Sequence, residues 1–233
     1  DIISPEKGFL LTSILSLQLD SCSLDTIFST CDFSNCDLSS STFSNLAIRN
    51  ANLSGSNFAN TVFTNCSLEE TNLFGCDFSK SNMSETRITS CDFKRSNLEW
   101  VDLSNALIEG SDFNGALLAN SNLSNAKIQN SLMQWVDWNS SKATDVDFTG
   151  TNLFGCYLTK TNFTGSNFSQ TVIRTAVFAF TNFTNTTLTG MEVEEGWMDI
   201  ITTGNVIDNE SIKKNYKMVP KEVTGLFLLE KAE

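Results

Sequence analysis

The chain has 233 residues, with 15 Lys and Arg against 27 Asp and Glu, and a formal charge of −12. That balance argues against direct nucleic-acid binding and against an anionic membrane surface, since both take Lys/Arg-rich faces. Histidine is absent, which removes Ser-His-Asp and Cys-His catalytic arrangements and histidine metal ligands, so no catalysis, metal or cofactor is expected.

At the N-terminus the longest apolar stretch, residues 9–19, is broken by Thr12, Ser13, Ser16 and Gln18. It is too short and too interrupted to span a membrane, and without a basic leader it does not read as a signal peptide. The start at Asp1 is compatible with a processed or trimmed terminus. Ser4-Pro5-Glu6 has the form of a helix start, with Ser as N-cap and Pro at the first helical position. It predicts a short helix to about Leu17, weakened by Gly8. The other reading is a coil out of frame, through Ile14, Leu19 and Leu24. Residues 1–25 are assigned as an N-terminal cap.

From Phe28 a period of five begins: Phe28, Phe33, Leu38, Phe43, Ile48, Leu53, Phe58, and so on to Leu188 without insertion or deletion. Of these thirty-three positions only Ala143 is not large and apolar. Neither a helix nor a strand has that period, so the backbone must turn regularly. Two residues before each centre stands a small residue, such as Ala51, Ser56, Thr61 or Cys66. Asn or Asp often precedes the centre, and Gly or Asn often follows two later, as at Asn35, Gly55 and Gly75. This pattern gives one small and one large inward residue per repeat, with outer turns of residues that tolerate left-handed geometry.

Segments such as ANLSG at 51–55, TNLFG at 71–75 and SNLSN at 121–125 resemble the A-(D/N)-L-x-x unit of the pentapeptide-repeat family. The resemblance covers residues 26–190. It implies an all-β fold, a right-handed quadrilateral parallel β-helix with twenty residues per coil and about eight coils. Trp138, the bulkiest centre, is followed by Ala143, the smallest, and shares a layer with it and with Ile128 and Met133. Pairing large with small keeps a core of fixed cross-section filled.

Solenoids need caps, because their ends expose apolar surface and unpaired edges. The tail, residues 191–233, has nine acids and five lysines. Its last stretch, KEVTGLFLLEKAE, is expected to form a helix that covers the final coil or pairs two chains. Gyrase-binding members of the family dimerise through their C-terminal ends, which keeps a C-terminal homodimer open. Cys31, Cys36, Cys66, Cys76, Cys91 and Cys156 fall in the small inward slot, and Cys22 lies outside the frame. Buried free thiols favour a reducing compartment such as the cytoplasm.

Residues twenty apart stack on the outside, so the sequence maps onto four sides. The side centred on Phe43, Phe63, Met83 and Leu103 is polar outside. Outward aromatics fall on the sides centred on Leu53 and Phe58: Phe74, Trp100, Trp135, Phe154, Tyr157 and Phe180. At their shared corner Trp135 lies below Gly155, Arg174 above Phe154 within cation–π reach, and Val177 above Tyr157; Leu132 and Val172 extend the patch. Three readings stand: a docking site for an unknown protein partner, a platform for a folded-back tail, or plain stabilisation of the outer turns.

The function expected is therefore a non-catalytic interaction scaffold. The alternative is a DNA mimic of the quinolone-resistance type, seated in a topoisomerase. The mimic is weakened because residues 26–190 carry a net charge of only −5 and stack only Asp92 on Asp112. The larger Gram-negative quinolone-resistance proteins also interrupt their repeats with loops, and this frame has none. Secreted effectors and thylakoid-lumen proteins are also known in the family, and nothing in the sequence selects either.

Overall fold

The structure, a computed structural model, describes residues 2–17 and 19–232. The reading of Asp1 as a processed start lies outside them. Two helices open the chain, α1 (Pro5–Ser16) and α2 (Ser21–Thr30). The Ser4 side chain accepts from the Lys7 backbone N–H at 3.2 Å, and Pro5 supplies the fixed φ of the first turn. Before the helix starts, Ser4 already pairs with the first coil: its N–H donates to Asn35 O at 2.7 Å, and Asp37 N–H donates to Ser4 O at 3.2 Å. Gly8 is buried against the Asp37 carbonyl, where a Cβ has no room. The out-of-frame coil is excluded, because Ile14 lies in α1 and Leu24 in α2.

The coil frame therefore starts later than its first apolar position. Phe28 is buried from within α2, which Asp20 caps by accepting from Ser23 N–H at 3.0 Å. From Asp32 the parallel bridges climb in steps of twenty: Asp32, Asn52, Asn72, Asp92, Asp112, Leu132, Asn152, Val172 and Glu192. Those eight steps confirm the eight-coil solenoid. Two sides lengthen locally into strands. On the Phe63 side, β1 (Thr42–Ser44) pairs with β3 (Val62–Thr64). On the fourth side, centred on Leu68, β2 (Ala47–Arg49), β4 (Ser67–Glu69), β5 (Arg87–Thr89), β6 (Leu107–Glu109) and β7 (Lys127–Gln129) form a parallel sheet.

Inside, centres twenty apart stack ring on ring: Phe58 on Phe78 at 4.7 Å and 4°, Phe93 on Phe113 at 4.6 Å and 3°. Trp138 and Ala143 are both fully buried, and the indole meets Phe148 and Phe163, the latter stacked above Ala143. The small slot accepts Ser and Thr because their hydroxyls bond the coil below. Thr61 donates to Leu38 O at 2.9 Å and Thr161 to Trp138 O at 2.8 Å.

The tail rises as β8 (Glu192–Glu194), α3 (Trp197–Thr203), α4 (Asn209–Asn215), β9 (Tyr216–Pro220) and β10 (Leu226–Lys231), the strands forming an antiparallel sheet in the order β8-β10-β9. The terminal stretch read as a helix is thus a strand. β8 leaves an edge that Leu226–Leu228 pair with, and Gly225, at φ 81°, makes the turn that returns the chain. Tail groups satisfy the donors of the last coil: Phe180 N–H donates to Gly204 O at 2.9 Å, and Leu188 N–H to Tyr216 Oη at 3.1 Å.

Candidate interaction surface

Every repeat turns through a residue of positive φ two after its centre. Asn and Gly fill many of these positions, but Trp100, Trp135 and Phe180 adopt φ of 63°, 60° and 55°. A bulky side chain in that region costs roughly 1 kcal/mol or more, which Asn or Gly would avoid. All three border the Phe58 side. Among the described coil residues nine large apolar side chains are exposed, and seven lie on that side or its two corners: Phe74, Trp100, Leu117, Trp135, Tyr157, Val177 and Phe180. The Phe63 side presents Asn82, Asp102, Asn122, Lys142, Asn162 and Asn182 instead.

The Leu53–Phe58 corner assembles as its spacing requires. Trp135, 55% exposed, packs from one coil below against Gly155, where a Cβ would stand 2.5 Å from the indole. Its ring meets Phe154 edge-on at 5.2 Å and 82°. The Arg174 guanidinium lies 5.6 Å from the Phe154 centroid, with Nε 3.2 Å from Glu192 Oε1. Lys221 of the tail closes on the same carboxylate. Tyr157 pairs with Val177 in the ladder that climbs from Asp37 and passes through Leu117 and Asp137 below them. Leu132 is exposed midway along the neighbouring ladder, the one that climbs from Asp32, and Val172 is half-buried two coils above it. The folded-back tail reading fails here: β10 is held at the end of the rod by β8, and Trp135 and Tyr157 stay open.

Leu117 escaped the sequence reading of the patch. Its signal was there, an apolar residue in the slot where Asn or Asp usually makes the turn. That turn is visible at Asn152, whose Oδ1 accepts from Phe154 N–H at 3.0 Å and so orients the Phe154 backbone.

The cysteines divide by depth. Cys36, Cys66, Cys76, Cys91 and Cys156 are buried, but Cys31, assigned to the inward slot, is exposed because it caps α2 instead of entering a coil. Burial pushes the Cys76 and Cys156 thiols up to about 12 and those of Cys36 and Cys91 to about 11, so these sulfurs are poor nucleophiles. Among the described residues no three His, Cys, Asp or Glu gather as a metal site, and no helix is long and apolar enough to cross a membrane.

Family models described as "Pentapeptide repeat region" match residues 26–102 and 56–132, and those described as "Pentapeptide repeats (8 copies)" match 139–170 and 151–190. No curated protein sequence matches the chain. Among solved structures, trypsin-treated QnrB1, a plasmid-mediated fluoroquinolone resistance protein, is 15% identical with a TM-score of 0.47 over 71% of this chain and 98% of its own. HetL, involved in heterocyst differentiation regulation in the cyanobacterium Nostoc, is 16% identical with a TM-score of 0.22, covering 75% and 97%. A pentapeptide-repeat protein of the Arabidopsis thaliana thylakoid lumen is 19% identical with a TM-score of 0.30, covering 53% and 68%.

Proposed function

Because the chain belongs to the pentapeptide-repeat family, we propose that it is a non-catalytic scaffold holding a protein partner on the Leu53–Phe58 corner. The observation that supports this reading is Trp135, a half-exposed indole in a left-handed turn, packed beneath a glycine and against Phe154. Such a residue costs stability where Asn would not, and an exposed aromatic suits an interface anchor. Leu132, Tyr157, Val172 and Val177 surround it as apolar contact area, while Arg174 is held by Phe154 and Glu192.

Replacing Trp135 and Tyr157 together by Ser should abolish capture of the partner from source-cell extract while leaving the melting temperature of the rod unchanged. Equal capture by the variant would remove the proposal.

The duplex-mimic reading is favoured by the charge of −12. Against it, Lys94 sits 3.0 Å from Asp92 and 3.7 Å from Asp112, bridging the stacked pair and offsetting part of its charge. A gyrase supercoiling assay decides: no inhibition at micromolar protein dismisses it. C-terminal pairing of two chains loses its helix. The outer strand of the tail sheet, β9, also carries Lys217 and Pro220, residues that discourage edge-to-edge pairing.

A further inference from the structure

The N-terminal end is finished differently from the C-terminal one. The helix that closes it turns apolar side chains outward: Phe9, Leu10 and Leu17 are 77%, 55% and 66% exposed, and Ile2, just before it, is 92% exposed. With Ile3 they present on the order of 600 Å² of surface, near the ~800 Å² each partner gives to a standard interface.

Charge selects the occupant. Glu6 and Lys7 are the only charged residues of α1, and Lys7 turns to Asp32 at 3.3 Å. The α1 face itself is therefore near-neutral on a chain of −12, so its own charges do not oppose a second copy. A single lysine gives no basic cluster for anionic lipid.

Shape points the same way. Beside α1 a hollow of about 380 Å³ opens between Thr12, Leu15 and Ser16 of the helix and Thr42, Ser44 and Leu46 of the first coil. Projection and hollow lie on the same end of one molecule, which is what a twofold self-complementary contact requires. An antiparallel α1 pair with its twofold axis between Thr12 and Ser13 sets Phe9 opposite Ser16 of the other copy, at the rim of the hollow, with Leu10 flanking the contact. We propose that two copies of this chain pair head to head through α1, each Phe9 entering the hollow of the other, with the two rods pointing apart.

Light scattering on the full chain, eluted at concentrations up to ~100 µM, should give twice the chain mass, and Phe9→Ser with Leu10→Ser should give one chain mass at an unchanged melting temperature. A wild-type monomer throughout, or a dimer that survives both substitutions, would overturn the proposal. If the double variant also loses its melting transition, Ser13→Cys with Cys22→Ser and Cys31→Ser decides. A disulfide-linked dimer on mild oxidation supports the pairing, and its absence rejects it.

Discussion

The Phe58 and Phe63 sides share the coil frame, a core and a turn geometry, and beyond the short β1–β3 pair on the Phe63 side they differ in what they show to solvent. In the coil that contains both, Tyr157 stands on one side and Asn162 on the next, each in the slot before a buried centre. Trp135 and Asn125 occupy equivalent left-handed turns, at φ 60° and 61°. The same turn therefore forms with either kind of outer residue, at some cost for the bulky ones, and the apolar ones call for an explanation outside the fold.

The largest effect should break both sides together. Trp138→Ala empties the widest layer and should cost about 3–5 kcal/mol in denaturant unfolding. Next, two glycines separate the turn from the patch. At Gly75 an added Cβ would meet nothing within 4 Å, so Gly75→Ala should cost only the left-handed penalty, roughly 1 kcal/mol. Gly155→Ala adds a collision with Trp135, should cost more than that, and should change the indole fluorescence.

An exchange sharpens the comparison further. Trp135→Asn should leave stability unchanged or raise it by up to ~1 kcal/mol, and Asn125→Trp should lower it by about as much. A large loss on Trp135→Asn would mean that the indole stabilises its turn.

The smallest effect lies away from both sides. Asp147 is lowered below the usual carboxylate range: burial raises it, but hydrogen bonds from Thr149, Gln129 and Asn167 outweigh that. A depressed carboxylate stabilises the fold above its unfolded value of ~3.9 and loses that contribution as pH falls through its folded value. Asp147→Asn should therefore lower the melting temperature slightly at neutral pH, and the difference from the unaltered chain should shrink as pH falls through the folded value of Asp147.

What was legible in the sequence follows the same division. The period of five gave the coils, because each large centre has one inward place, and the twenty-residue wrap gave the Trp135, Phe154 and Arg174 corner. Cap α1 was readable from Ser4-Pro5, which satisfies the first turn locally. Helix α2 was hidden, since Phe28 keeps the five-residue frame while Asp20 caps a helix through it. The run Leu226–Leu229 is too short for periodicity to tell helix from strand, and the open edge of β8 decided it. Whether the tail covered the corner depended on that strand, so it could not be read from the patch itself.

The central claim is that one side of the rod binds a partner and its neighbour does not. A photo-crosslinking amino acid placed at Tyr157, and separately at Asn162, tests both sides within a single coil of the same molecule. The account predicts a protein adduct from position 157 and none from 162. Adducts of equal yield from both positions, or none from either, would contradict it.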